Sequence, residues 1–195
     1  MINQMSRRTF LKQTSLVIAV SALPGKIGLF NASPAQASGS MNFKPHAFIE
    51  ISPDDTVTVW LGQTNLGQGT HTGIPMIVAD ELDADWNKVR AKMALAADVF
   101  KNPHWKMQIT GGSSSIRHRW EILRTPGAAA RQMLMQAAAD QWGIPVSQCK
   151  TKESKVIHPN GAVLRYGQLI SAAVKLPVPE KPVLKDPKEF KIIGT

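Results

Sequence analysis

The chain has 195 residues, a formal net charge of +9 and a single cysteine. One thiol excludes an internal disulfide, a CxxC redox pair and a four-cysteine iron–sulfur site, so any such cluster belongs to another chain. The basic residues are scattered and form no run interleaved with aromatics, which argues against a nucleic-acid reader and for a solvated surface.

Ser6-Arg7-Arg8-Thr9-Phe10-Leu11-Lys12 opens the chain as a twin-arginine pattern. A short apolar run from Leu16 to Leu23 follows, far below the roughly 20 residues of a membrane span, and Ala35-Gln36-Ala37 fits an A-x-A cleavage site. Residues 1–37 are therefore expected to be a twin-arginine export signal outside the fold, making the protein periplasmic without a stable membrane span. That route carries folded proteins, which hints at a cofactor loaded before export. Cleavage removes Arg7, Arg8, Lys12 and Lys26 and no acid, so the mature charge is milder. Residues 38–195 suffice for one ordinary domain.

From His46 the elements alternate in type. Ala47, Ile49 and Ile51 alternate with His46, Phe48 and Glu50 as a first strand, Pro53-Asp54-Asp55 is a turn, and Thr56–Leu61 is the second strand of a hairpin. A glycine-bearing loop, 62–69, leads into a helix through about Leu82, with Ile74, Ile77, Val78 and Leu82 on one face. Val89–Met93 reads as a third strand. Ser113–Leu123 reads as a helix that Pro126-Gly127 breaks or restarts. Ala130, Met133, Leu134, Ala137, Ala138 and Trp142 form an apolar helix face stopped by Gly143. Short strands are expected within Gln148–Ile157 and at Val163–Arg165, and a last short helix at Leu169–Val174. Residues 38–176 are thus expected to form one α/β (α+β) domain, a mixed sheet with helices packed on it. Pro177–Pro187 reads as an extended Pro/Lys-rich linker, and Phe190–Ile193 as a strand-like stub toward a further domain, so that 177–195 stands apart.

Two loops attract attention as ligand-binding elements. In Gly67-Gln68-Gly69-Thr70-His71-Thr72, two glycines at a strand-to-helix turn allow close backbone approach, and the helix start favours an anion. Thr110-Gly111-Gly112-Ser113-Ser114-Ser115 is a second small polar loop ahead of a helix. Together they suit one phosphorylated or heterocyclic ligand gripped from two sides; the plainer reading is that the glycines shape tight turns and Thr72 caps the helix.

Competing chemistries fail on specific residues. A dinucleotide fingerprint needs a third glycine where Thr72 stands, and an acid where Arg90-Ala91-Lys92 stand. A P-loop starting at Gly62 needs a lysine where Gln68 stands. His71, His104, His118 and His158 lack metal-ligand spacing, no serine sits in G-x-S-x-G, and no metal site is expected. Asp80, Glu81, Asp83 and Asp85 read as a solvated helix face rather than an acid/base pair. Cys149 reads as a small buried residue. No catalytic residue is assignable.

The motif order resembles the molybdopterin-binding large subunit of the xanthine dehydrogenase/aldehyde oxidoreductase family, in the exported isoquinoline 1-oxidoreductase beta subunit type. The resemblance rests on Leu66–Thr72, Ala79-Asp80-Glu81-Leu82-Asp83-Ala84-Asp85-Trp86 with Val89, Thr110–Ser115, Gly127-Ala128-Ala129-Ala130, Leu176–Pro179, Leu184–Phe190 and Ile193-Gly194. It covers His46 to Gly194. It implies a molybdopterin-binding-domain-like fold whose loop residues Gly67, Gln68, Gly69, Thr72, Gly111, Gly112, Ser113 and Ser114, with Ser115, contact molybdopterin, commonly as the cytosine dinucleotide. Gln68 would meet the pterin edge, and the backbone near Gly69, Gly112 and Ser113 would meet pterin or phosphate oxygens. Implied partners are the remaining molybdopterin-binding domains or chain, a small subunit carrying [2Fe-2S], and a cytochrome c electron acceptor. Family members run several times longer, with a hammerhead-like domain and a C-terminal glutamate as general base beyond this stretch. The expectation is thus the N-terminal portion of a molybdenum hydroxylase oxidising an aldehyde or N-heteroaromatic substrate, as a split or truncated subunit. The alternative is a non-catalytic exported binding or interaction domain without cofactor.

Overall fold

A computed structural model describes residues 16–23, 26–32 and 47–194. Ser6–Lys12 and Ala35–Ala37, the export motif and cleavage site, lie outside the described residues. Strands β1 (Leu16–Leu23), β2 (Lys26–Ala32), β3 (Ala47–Ile51), β4 (Val57–Leu61) and β5 (Val89–Met93) form one mixed sheet in the order β2-β1-β3-β4-β5. β3 and β4 are the expected antiparallel hairpin, with Ile51 opposite Val57. β4 and β5 are parallel, Val57 beside Val89. The crossover between them is helix α1 (Thr70–Leu82), a βαβ unit. The apolar run assigned from sequence to the signal alone is β1, antiparallel to β3 with Leu16 opposite Ile51. An apolar strand there saturates an edge of β3 that would otherwise be open.

Sequence periodicity sets α1 correctly. Ile74, Ile77, Val78 and Leu82 are buried and pack with Val57, Val59 and Leu61 of β4 in the core. The other face of β3 is also covered, because Phe48 lies edge-on to Phe100 with ring centroids 5.1 Å apart. Phe100 ends a one-turn 3-10 helix, Asp98–Phe100.

The second helical region departs from expectation. A single turn, α2 (Ser114–Arg117), is followed by a 23-residue helix, α3 (Trp120–Trp142), that runs straight through Pro126. Proline deletes one backbone bond, but burial of the surrounding face outweighs that loss. Gly127 shows why this stretch must stay helical. A Cβ there would lie 2.9 Å from Glu81 Cβ and 3.0 Å from the Val78 carbonyl oxygen. The missing side chain is what lets α3 lie against α1. Gly143, at φ 68°, ends α3 as expected.

Strands β6 (Lys150–Lys152), β7 (Lys155–Ile157) and β8 (Val163–Arg165) make a small antiparallel sheet, and α4 (Tyr166–Ala173) follows. Cys149 is buried. Asp55 ties this region to the β3–β4 turn. Its carboxylate accepts from the Gly167 amide at 2.8 Å, Lys88 Nζ at 3.0 Å and Arg165 Nη1 at 2.8 Å. Burial pushes its pKa up, but the Gly167 amide, Lys88 and Arg165 outweigh this and hold it below the ordinary value of 3.8. A carboxyl depressed in the folded state stabilises fully above its unfolded pKa and loses that contribution as pH falls through the folded value. Below about pH 4 the protein should therefore lose stability, and Asp55→Asn should flatten that acid limb in urea titrations at pH 3 to 6. An equally steep limb in the variant would show that other groups carry it.

The acidic cluster and the tail overturn two expectations at once. Asp80 is 1% exposed and Glu81 0%, so this is no solvated face. Asp80 accepts the backbone N–H groups of Lys191 at 2.8 Å and Ile193 at 2.8 Å. Glu81 accepts from Arg124 Nε at 2.6 Å and from the Lys185 amide at 3.2 Å. Asp83 pairs with Lys185 Nζ at 2.7 Å and accepts from the Thr151 hydroxyl at 2.6 Å. The stretch after residue 176 is irregular, as its prolines dictate, but it is strapped to the C-terminal end of α1. Phe190–Ile193 is not a strand, because its amides are consumed by a carboxylate and a 3-10 turn, Pro187–Glu189, precedes it.

Candidate functional site

Both loops singled out in the sequence lie beside the carboxyl ends of the parallel pair β4 and β5, where open α/β sheets place ligands. The loop after β4, 62–69, leads through Gly69 (φ 77°) into α1 without a side-chain cap. The first intrahelical bonds come from the Thr72 and Gly73 amides, both to the Gly69 carbonyl. The amides of Thr70 and His71 therefore precede the ladder, as at any helix start. A Cβ on Gly67, Gly69 or Gly111 would meet nothing within 4 Å. At Gly67 and Gly69 the glycine answers a positive φ rather than crowding, and the open side offers bare backbone to a ligand.

The two loops are tied together by hydrogen bonds between residues 46 apart in the sequence. The Thr110 hydroxyl accepts from the Thr64 amide at 2.8 Å. Gln108 Nε2 donates to the Gly62 carbonyl at 3.0 Å. Between the loops lies an open cleft of about 440 Å³ lined by Gly62, Thr64, Leu66, Met93, Ala96, Gln108, Ile109 and Thr110. Glutamine and threonine directly beside a glycine loop are the signal that could have revealed this brace. Thr110→Val keeps the shape and removes the acceptor. It should leave the fold intact, costing about 1 kcal/mol, while raising amide hydrogen exchange at 62–69; unchanged exchange would show that the loops are held otherwise.

The predicted contact residues divide by their present engagement. Gly67, Gln68, Gly69, Thr72, Gly111, Gly112 and Ser113 are exposed, whereas Ser114 is fully buried. The Ser114 hydroxyl donates to the Gly111 carbonyl at 2.8 Å, so it shapes its loop. Gln68 also works inward: Oε1 accepts from the Leu66 amide at 2.5 Å and Nε2 donates to the Thr64 carbonyl at 2.8 Å. Gly112 is needed both for its φ of 58° and because a Cβ would strike Trp105 Cη2 at 2.4 Å. Ser113 adopts a left-handed φ of 53° although it is not glycine.

Arg117 brings one cation to the second loop, its Nη2 3.4 Å from the Gly112 carbonyl oxygen. The His118 ring lies tilted against His104, with centroids 4.3 Å apart and ring planes at 51°. Its pKa is held below the ordinary value by burial first, then by His104, Arg117 and Arg119. Arg119 is 2% exposed, and burial lowers its pKa to about 10. Among the described residues no three His, Cys, Asp or Glu side chains form a metal-holding group, and no helix is long and apolar enough to cross a membrane.

The donor set fits an oxygen-rich heterocyclic ligand: bare glycine backbone, hydroxyls and amides. Fold and site thus define an α/β ligand-binding domain with two coupled glycine loops. Residues 7–191 match the molybdopterin cofactor-binding domain family, and the chain belongs to that family. It is 35% identical over 181 residues to the isoquinoline 1-oxidoreductase beta subunit of Brevundimonas diminuta, covering 89% of this chain and 22% of that protein. It is 31% identical over 170 residues to a membrane-bound aldehyde dehydrogenase, named for pyrroloquinoline quinone, of Gluconacetobacter polyoxogenes, covering 86% and 21%. Against a nicotinate dehydrogenase subunit of Pseudomonas putida the identity is 28% over 148 residues, 75% of this chain and 12% of that one. The chain therefore spans less than a quarter of the length of these relatives. Among solved structures, CO dehydrogenase from Oligotropha carboxidovorans shares the fold, with a TM-score of 0.50 at 17% identity over 62% of this chain and 15% of that one.

Proposed function

We propose that this chain supplies one part of the molybdopterin-binding subunit of an exported molybdenum hydroxylase that oxidises an aldehyde or N-heteroaromatic substrate. The observation that carries this is the pair of glycine loops joined by Thr64–Thr110 and Gly62–Gln108 around an open cleft. The likeness to an isoquinoline oxidoreductase subunit and an aldehyde dehydrogenase supports the substrate class. When bound, the molybdenum centre supplies the oxygen- and electron-transfer chemistry. The chain's own part is to bind and orient. Backbone around Gly67, Gly69, Gly111, Gly112 and Ser113 meets pterin or phosphate oxygens, Thr72 adds a hydroxyl, and Gln68 and Ser114 hold the loops in shape. The cytosine dinucleotide form, a [2Fe-2S] small subunit, a cytochrome c acceptor and twin-arginine export to the periplasm complete the proposal, with cleavage after Ala37 removing β1 and β2 and opening the β3 edge they cover. Two of the relatives are themselves named as subunits, which supports an assembly with other chains.

The test is to co-express the chain with the remaining parts of the enzyme, purify the exported complex and measure molybdenum and pterin. Both are expected in near-equal amounts with the complex. A stable complex holding neither would leave a non-catalytic binding domain as the reading.

A further inference from the structure

The two sides of the large sheet are built differently. β5, at one edge, exposes Arg90 and Lys92, and such charges discourage a further strand from pairing there. Once β1 and β2 are removed, the opposite edge is β3, and Ala47-Phe48-Ile49-Glu50-Ile51 contains no lysine, proline or glycine to blunt it. Both faces of β3 are covered: Ile49 and Ile51 belong to the core, and Phe48 lies against Phe100. Its one charged residue, Glu50, is half-buried. A strand packed on both faces leaves an open row of N–H and C=O groups in apolar surroundings, where unpaired backbone is costly.

In the full chain the partner of that row is β1. It runs antiparallel to β3 from end to end, with Leu16 opposite Ile51, Val17 opposite Glu50, Ile18 opposite Ile49 and Ala19 opposite Ala47. These four residues of β1 are all apolar in the sequence. The pairing therefore shows what the edge accepts: a short extended apolar run without proline or charge. It also excludes any second strand from the same edge, since each backbone group on it is used once. The run that fills the edge belongs to the export signal and leaves with it.

We infer that the β3 edge is a strand-receiving interface, filled by β1 in the precursor and, in the mature enzyme, by an extended apolar strand from the remainder of the molybdopterin-binding subunit. The inference rests on the reading of this chain as one part of an exported subunit and adds the surface through which that part joins the rest. The chain spans less than a quarter of the length of its relatives, so a subunit of their length offers further strands. In such a contact main-chain hydrogen bonds give affinity and alternate side chains give selectivity. Loss of β1 and arrival of the new strand are one exchange, which keeps an apolar edge from pairing with strands at random.

The test compares the full chain with the exported complex. Glu50→Cys is labelled with a benzophenone maleimide and irradiated, and the captured residues are identified by mass spectrometry; Cys149 is buried and stays unlabelled. In the full chain the label should capture residues 16–19. In the complex this chain should begin at Ser38, and the label should capture one apolar stretch of the remaining subunit. The amides of 47–51 in the unlabelled complex should exchange as slowly as in the full chain, a measurement that stands even where the label disturbs packing. Four outcomes would overturn the inference: no capture of residues 16–19 in the full chain, their capture in the complex, capture of β3 from a second copy, or free exchange at 47–51 in the complex. The second means that the hairpin stays on the edge, the third that the edge pairs with itself. Molybdenum and pterin, measured on the same complex, test the cofactor reading separately. A complex that holds both while residues 16–19 remain on β3 sinks the exchange alone, and an exchanged edge in a complex that holds neither sinks only the cofactor reading.

Discussion

Glu81→Ala is expected to melt on the order of 10 °C below the wild type, a loss of about 3–5 kcal/mol for a chain of this size. The carboxylate is wholly buried and is the charge partner of Arg124, with Nη2 at 2.5 Å and Nε at 2.6 Å from Oε1. Arg124 is itself only 6% exposed. Removing Glu81 strands that guanidinium in the core, and the penalty for an uncompensated buried charge exceeds the net worth of the pair. The Lys185 amide loses its acceptor in the same step. Arg124 Nη2 also donates to the Lys185 carbonyl at 2.6 Å, so the arginine holds the tail as well as the helix. The tail should therefore loosen before the core does. Limited proteolysis of Glu81→Ala should cut within 177–190 at temperatures where the wild type resists. Melting within about 2 °C of the wild type would mean that the cluster holds little of the fold.

The same cluster shows where sequence reading succeeds and where it stops. The α1 face, the β3–β4 hairpin, β5 and the Gly143 stop were legible because each follows from local periodicity or from one residue's backbone preference. Ala79-Asp80-Glu81-Leu82-Asp83 was not. An acidic run on a helix looks solvated until one knows that Lys185, Lys191 and Arg124, far along the chain, come to meet it. The Pro126 break failed for a related reason. Propensity marks a stop at Pro126-Gly127, but the close approach of α3 to α1 needs that glycine in a helix. At the site, glycine spacing exposed both loops. What joins them, Thr64 to Thr110 and Gln108 to Gly62, spans 46 residues in each case, so the sequence shows the polar groups but not their pairing. The burial of Arg119 is not visible there either, since an arginine at a helix start ordinarily faces water.

Gln68→Ala is the substitution expected to separate binding from folding. Gln68 is exposed, so truncating it leaves no cavity and should change the melting temperature little. Its two side-chain bonds close a small ring over residues 64–68, fixing the Leu66 amide and the Thr64 carbonyl. Thr64 is also the residue whose amide reaches Thr110, and the Thr70 hydroxyl donates to its carbonyl at 3.4 Å. Without the glutamine, 64–68 must be ordered by the ligand instead of beforehand, and that ordering is subtracted from binding. Two hydrogen bonds at about 0.5–1.5 kcal/mol each place the loss between about fivefold and 150-fold in cofactor affinity. In the assembled complex this reads as low pterin and molybdenum content at unchanged subunit yield. Gln68→Glu discriminates further: it keeps the acceptor for the Leu66 amide but loses the donor to Thr64 and sets a negative charge beside the cleft. It should retain less pterin than Gln68→Ala if the ligand is anionic, and more if the Leu66 bond alone preorganises the loop. Full retention in both variants would mean that Gln68 neither touches the cofactor nor prepares the loop for it.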